Sequence, residues 1–280
     1  MRPILFSICL NLGLNLCLLS TTAFAAPRVV TSIAPLQEVT TALMKGVARP
    51  QSIITDDAST HHFAFRPSHM RLLQQADLVI WIDRNFEAGF NRVAETLPNT
   101  VAQLEVLPAL GIDSDDGHIW YSPRQLQRLI AILTTRLVAL DAANETLYRD
   151  NAEQLGTAIE AWRSGTLAWM EERQPRYITD HEFTSHFQSD MGYPPIATIH
   201  DHHDDHGGLQ ELGKTEDLLR RQPANCLLTL ESSAATLALE LARKYQLKVI
   251  SLASMPIPDS PQPAIIQRLQ RLASALYECS

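Results

Sequence analysis

The ten residues 199–208, "IHDHHDDHGG", contain four histidines and three aspartates. Imidazoles bind first-row transition metals, and interleaved carboxylates favour a cation. Alternating His and Asp is also a recurring composition of metal-binding tracts. The stretch therefore predicts either an accessory metal site or a solvated acidic loop whose histidines bind metal only as a purification tag would. The four histidines are His200, His202, His203 and His206.

Three other histidines occur where predicted strands or loops meet helices, namely His61, His118 and His181. Side chains that follow different strands of an open α/β sheet meet at one edge, so ligands far apart in sequence can share a site. Their spacing matches no local zinc motif, and a single histidine is more often an ordinary surface or core residue. The residues alone leave a shared metal site as one hypothesis.

Short β-branched runs alternate with helical periodicity in two series, which predicts parallel sheets covered by helices on both faces. The first series has strands at 28–33, 51–55, 76–83 and 100–104, with helices at 36–46, 67–75 and 86–97. The second has strands at 176–179, 195–199, 226–230 and 247–252, with helices near 183–190, 209–221, 233–244 and 262–277. The fold class is therefore α/β, with two lobes that each contain a mainly parallel sheet flanked by helices.

The longest helical signal lies between the two series. A leucine stripe begins after a Ser122 cap and Pro123 in the first turn, and a second stripe runs from about 145 to 172. The stripes are interpreted as core packing, and the second as a rigid helix that joins the lobes. Their members are Leu126, Leu129, Leu133, Leu137, Leu140, Leu147, Leu155, Ile159, Trp162 and Met170.

The predicted organisation is a signal peptide (1–25), an N-terminal lobe (26–144), a connecting helix (145–173) and a C-terminal lobe (174–280). Arg2, an apolar run and an Ala-Phe-Ala site ending at Ala25 are typical of a secretory signal. Its removal leaves 22 basic against 31 acidic residues, a net charge of −9. That balance argues against nucleic acid as a partner. A soluble, exported monomer is expected.

Cys226 and Cys279 are the two cysteines that follow the signal segment. In an oxidising compartment an isolated pair of this kind predicts a disulfide, and two buried thiols are the alternative.

Several segments together resemble the periplasmic zinc-type solute-binding proteins of bacterial zinc and manganese ABC importers. They are "DDASTHHFAFRPSHMRLLQQADLVIWID", "HIWYSP" and "YITDHEFTSHFQSDMGY", and the similarity covers essentially the whole chain after the signal segment. It implies a metal site in the cleft between the lobes and a disulfide at Cys226 and Cys279. It also implies periplasmic Zn²⁺ capture, with handover to an ABC permease in the inner membrane.

The resemblance carries His61, His118 and His181 onto the family's first three ligand positions. A carboxylate at the third position goes with manganese binders and a histidine with zinc binders. Imidazole suits zinc, whereas oxygen ligands suit harder ions. The resemblance therefore implies Zn²⁺ as the transported ligand.

The chain departs from the family at Ala253, where an aspartate is the expected fourth ligand. Water or a residue of the His/Asp stretch is preferred in that place, and the other candidates are His62, Asp57, Glu231 and Asp259. The family's His-rich stretch also lies elsewhere, before the second ligand. His62 joins the stretch as a possible accessory metal ligand.

No enzymatic turnover is expected. A periplasmic zinc chaperone or buffer that serves another transport system is the second hypothesis. A zinc hydrolase or lyase is a third, because three histidines and an open water position can also be catalytic. Glu182 adjoins His181, but the chain contains no HExxH pattern. A surface adhesin has little support, since no lipid-anchor cysteine is found.

Overall fold

The computed structural model describes residues 25–54, 63–200, 209–230, 236–253, 255 and 261–280. Residues 1–24 of the predicted signal segment lie outside the described residues. So do the ligand candidates Asp57, His61, His62, Glu231 and Asp259. Most of the His/Asp stretch does too. The backbone of His200 is described as the end of a strand, but its side chain is not.

The N-terminal half contains a four-stranded parallel sheet with strand order β2-β1-β3-β4. Its strands are β1 (Val29–Ile33), β2 (Gln51–Ile54), β3 (Leu78–Trp81) and β4 (Ala102–Glu105). Its helices are α1 (Ala34–Leu43), α2 (Pro67–Gln74), α3 (Ala88–Ala94) and α4 (Val106–Leu110). The central strands β1 and β3 are buried along their whole length, as helices on both faces require.

The C-terminal half repeats this arrangement, with strand order β6-β5-β7-β8 and all pairs parallel. Its strands are β5 (Tyr177–His181), β6 (Thr198–His200), β7 (Cys226–Thr229) and β8 (Lys248–Ser251). Its helices are α7 (Ser185–Met191), α8 (Leu209–Arg221), α9 (Thr236–Lys244) and α10 (Ala264–Glu278). Every predicted strand overlaps an observed one, and the predicted fold class is confirmed.

Two long helices follow the first sheet in the chain and precede the second. They are α5 (Pro123–Leu140) and α6 (Glu145–Arg173). The Ser122 side chain accepts a hydrogen bond from the backbone N–H of Gln125 at 3.2 Å, which confirms the predicted cap. The core interpretation of the leucine stripes is wrong at Leu140 and Leu147, which are both 42% exposed. Leu140 is the last residue of α5 and Leu147 lies in the first turn of α6, so both are next to the turn between the two helices.

The two halves share one hydrophobic core, which extends from the first sheet through α5 and α6 to α10. A bidentate ion pair reinforces this union, because Arg268 of α10 donates to both carboxylate oxygens of Glu38 in α1, at 3.0 and 2.6 Å. Burial acts to lower the pKa of Arg268, but the facing carboxylate holds it above its usual range. The relative position of the halves is therefore fixed by packing as well as by the connecting helix.

Three short elements of the described chain were not predicted from the sequence: α4 and the 3-10 turns at Ile119–Tyr121 and Ala142–Asn144. Each is too short to show a hydrophobic period. Gly111 ends α4 with a positive φ of 65°, a backbone conformation that glycine adopts without a steric penalty.

The Cys226–Cys279 disulfide is present and joins the start of β7 to the residue that follows α10, with a Cα–Cα distance of 5.5 Å. Both residues are fully buried. Among the described residues, no helix combines the length and apolar character that crossing a membrane would require.

Candidate metal site

Two of the candidate ligand histidines, one from each half, lie close to each other. His118 precedes the 3-10 turn at Ile119–Tyr121, and His181 is the last residue of β5. Their ring centroids are 5.6 Å apart. Imidazoles at this separation can bind one metal ion between them, since a Zn–N bond is about 2.0–2.1 Å long.

The Asp116 carboxylate fixes the ring of His118. Its Oδ1 atom accepts from Nδ1 of His118 at 2.6 Å and from the backbone N–H of the same residue at 2.9 Å. Burial acts to raise the pKa of Asp116. The His118 ring, the Ser185 hydroxyl and the backbone N–H outweigh it and hold that pKa below its ordinary range. The carboxylate is therefore ionised and acceptor-only, so the Nδ1 atom of His118 carries the proton.

His181 has the same kind of partner. Its Nδ1 atom lies 2.9 Å from Oδ1 of Asp180, the preceding residue of β5. In both histidines an Nδ1–H that faces the carboxylate makes Nε2 the acceptor nitrogen, which is the form in which an imidazole can bind a metal. Carboxylate–histidine pairs of this kind orient metal ligands and raise their basicity.

Aromatic rings surround the two imidazoles. His118 lies 5.1 Å from Phe86 and 5.0 Å from Trp120, and His181 lies 5.3 Å from Phe183, measured between ring centroids. This wall restricts ring rotation and lowers the local dielectric, which strengthens the carboxylate–imidazole pairs.

Gly117 allows the aromatic wall to approach the chain between Asp116 and His118. A Cβ atom built there would lie 2.5 Å from the Phe86 ring and 2.7 Å from Ile82. The close approach therefore requires glycine at this position.

Helix α7 crosses from the second half to the His118 segment. The Ser185 hydroxyl donates to Oδ2 of Asp116, and Nε2 of His186 donates to the backbone carbonyl of Asp116 at 2.7 Å. His186 thus supports the loop that carries a candidate ligand. No role of Asp116, Asp180 or Ser185 was predicted from the sequence. The signal that points to the two aspartates is an acidic residue two positions before His118 and one position before His181.

The structure does not describe the side chains of the other ligands predicted from the sequence. His61, His62 and the loop histidines 202, 203 and 206 lie outside the described residues. Within the described part of the chain, no group of three metal-ligating side chains converges. Ala253 follows β8 and donates its backbone N–H to the carbonyl of Leu230 at 3.2 Å. The sequence resemblance matches Ala253 to the family's aspartate, and its methyl side chain has no metal-ligating atom.

We expect Asp116→Asn to weaken zinc binding by about 10–100-fold, the range measured for outer partners of metal-ligating histidines. Asparagine lacks the negative charge that favours the Nδ1–H tautomer and offers only one acceptor oxygen. A competitive titration against a chromophoric chelator measures the change. Asp113→Asn, at an exposed aspartate of the same loop, is the control, and an equal loss in both variants would contradict the assigned role.

The two α/β halves, the long connecting helix and one oriented imidazole from each half define the class of protein: a metal-binding solute-binding protein. The chain belongs to the family described as zinc-uptake complex component A, periplasmic (ZnuA), whose model matches residues 29–279. The resemblance inferred from the sequence is confirmed. The protein is accordingly a zinc-capturing substrate-binding protein of an ABC importer.

Named relatives are similar over most of the chain. The high-affinity zinc uptake system protein ZnuA of Yersinia pestis is 24% identical over 238 residues, which are 72% of this chain and 75% of that protein. The protein of the same name from Haemophilus ducreyi is 22% identical over 304 residues, covering 95% of this chain and 97% of the relative.

Solved structures share the fold at 16% identity. A mutant of the laminin-binding adhesin Lmb of Streptococcus agalactiae superposes with a TM-score of 0.77, covering 91% of this chain and 100% of that one. A Zn(II)-bound mutant of AdcAII from Streptococcus pneumoniae gives 0.75, with coverage of 91% and 99%. A Mn-bound mutant of a periplasmic metal-binding protein from Candidatus Liberibacter asiaticus also gives 0.75, with coverage of 89% and 99%.

Proposed function

We propose that the protein binds one Zn²⁺ between its two halves through His61, His118 and His181, and then delivers the ion to an ABC permease in the inner membrane. One observation carries the assignment of the site. Two imidazoles from different halves lie 5.6 Å apart, and a carboxylate holds the Nδ1 atom of each. His61 is assigned from the family pattern and completes a set of three imidazoles.

The donor set supports zinc as the ion. Three neutral imidazoles suit zinc better than the harder manganese ion, which prefers oxygen ligands. Copper binds such a set more tightly than zinc, so selection in the cell depends on metal supply and geometry. The two relatives described above are named as zinc uptake proteins, which agrees with this assignment.

The fourth coordination position goes to water or to a residue of the His/Asp stretch. Ala253 offers no donor atom in its side chain, and an open position is compatible with tetrahedral zinc held by three protein ligands. No turnover is assigned to this water. Glu182 is the acid next to His181 that a zinc hydrolase could use as a base. Its carboxylate accepts a hydrogen bond from the backbone N–H of Thr184 at 3.3 Å.

The shared core and the Glu38–Arg268 pair favour capture with small movement of the halves, so that ordering of loops is the main change on binding. Metal must compete with protons for the imidazoles, so affinity falls as the pH drops through the histidine range. The His/Asp stretch raises the local zinc concentration beside the main site. The mature protein begins after Ala25 and works as a monomer in the periplasm.

The test is a competitive zinc titration of the mature apo protein and of a variant in which His200, His202, His203 and His206 are all alanine. We expect one tightly bound zinc in both proteins and additional weaker binding only in the wild type. Loss of the tight site in the loop variant would move the binding site to the stretch itself. Absence of tight binding in the wild type would reject zinc capture.

A further inference from the structure

Asp190, near the end of α7, is a buried carboxylate with partners on two other helices. Its Oδ2 atom accepts from the Ser122 hydroxyl at 3.0 Å and from the backbone N–H of Arg124 at 2.6 Å. Its Oδ1 atom accepts from Nε of Arg163 at 3.4 Å and lies 3.6 Å from Nη2 of Arg124. Its side chain is 2% exposed. A buried charge requires such compensation, and here both oxygens have it.

These partners connect the two segments that carry the candidate ligands. Ser122 and Arg124 begin α5, directly after the turn that follows His118, whereas Asp190 belongs to the helix that follows His181. The first turn of a helix has backbone N–H groups without a carbonyl partner in the helix, and it carries the positive end of the helix dipole, both of which favour an anion. Asp190 thus acts with Ser122 as a cap on a helix of the other ligand segment.

Helix α7 is consequently fastened at both of its ends. Ser185 and His186 bind Asp116 at its start, and Asp190 binds the beginning of α5 near its end. Two fastenings on one short helix fix both its position and its direction. The separation of His118 and His181 follows from that docking, because each histidine is the neighbour in sequence of one docked segment.

We propose that Asp190 is a positioning residue for zinc capture, which sets the spacing of His118 and His181 through the N-terminus of α5. The inference rests on the proposed function and adds a residue that contacts neither the metal nor its ligands. Misplacement of one ligand by a fraction of an ångström weakens tetrahedral coordination, since the metal tolerates only a narrow range of bond lengths. Asp190 therefore acts on affinity through geometry.

The experiment compares Asp190→Ala and Asp190→Asn with a matched control, Asp141→Asn. Asp141 is a buried aspartate at the opposite end of α5, where it accepts from Tyr148 at 2.9 Å and from Asn144 at 2.8 Å. Each variant is titrated with zinc well below its unfolding temperature. Cobalt replaces zinc in a second titration, since the visible spectrum of bound Co²⁺ reports coordination geometry.

We expect Asp190→Ala to lose about tenfold or more in zinc affinity and to alter the cobalt spectrum. Asp190→Asn keeps one acceptor oxygen, so it should lose less and serves as the test if the alanine variant does not fold. Asp141→Asn should bind both metals as the wild type does. Wild-type affinity and spectrum in the Asp190 variants, or equal losses in Asp141→Asn, would overturn the inference.

The same titrations separate this inference from the proposed function. If the wild type binds no zinc tightly, or His118→Ala binds it normally, the proposed site is wrong. If those two proteins behave as proposed but the Asp190 variants match the wild type, the positioning role alone is wrong.

Discussion

Replacing His118 or His181 by alanine is expected to weaken zinc binding by more than about 100-fold, beyond the effect of removing an outer partner. Each change removes one of the three proposed imidazole ligands and leaves its carboxylate partner without the ring that it holds. The remaining ligands and water cannot restore a tetrahedral set with the same basicity. Competitive titration against a chelator of known affinity measures the loss, and His61→Ala should give a loss of the same order.

His69→Ala is the matched control for these variants. His69 lies on α2, where its Nδ1 atom accepts from the backbone N–H of Arg66 at 3.2 Å and its ring stacks on Phe63. His69 is not one of the proposed ligands, so its removal takes away an imidazole but no proposed donor, and zinc affinity should stay near that of the wild type. A loss in His69→Ala that equals the loss in His118→Ala would contradict the ligand assignment.

His118→Ala and His181→Ala also distinguish the proposed site from a site in the His/Asp stretch. If the stretch bound zinc without these two histidines, zinc affinity would stay unchanged in both variants. The proposed site predicts the reverse, with the tight zinc lost in both single variants and retained in the loop variant.

The fold was predictable because its signals are local. Buried parallel strands show continuous apolar runs, and α5 shows both its Ser122 cap and its leucine period. The sequence also places His118 and His181 at element boundaries, which is where α/β proteins build sites. Only the resemblance to a known family predicted that these two histidines, from different halves, lie next to each other.

The supporting contacts were not predictable in the same way. The Asp190 carboxylate meets Ser122 across 68 residues and Ser185 meets Asp116 across 69, and no periodic pattern records such a pair. Leu140 has the spacing of a core residue, but it is the last residue of α5 and is exposed. The leucine period of this helix therefore extends past the part that neighbouring elements bury. Periodicity gives the face of a helix, whereas the neighbouring elements decide how much of that face is buried.

Reduction of the Cys226–Cys279 disulfide is expected to lower the free energy of unfolding by about 4 kcal/mol. The two cysteines are separated by 53 residues, and closing a loop of that length removes conformational entropy from the unfolded chain. Guanidinium unfolding of the oxidised and reduced proteins, followed by tryptophan fluorescence, measures the difference. A double Cys226→Ala, Cys279→Ala variant should unfold near the reduced midpoint.

Zinc affinity should survive this change wherever the protein remains folded. Cys226 pairs in register with Tyr177 at the first residues of β7 and β5, whereas His181 ends β5 at the opposite edge of the sheet. At about 3.3 Å per residue, the length of β5 separates the disulfide from the metal site. Equal stability of the oxidised and reduced proteins would contradict the expectation that the cross-link stabilises the fold by restricting the unfolded chain. A large drop in zinc affinity on reduction, with the fold intact, would show that the disulfide instead holds the ligand edge of the sheet.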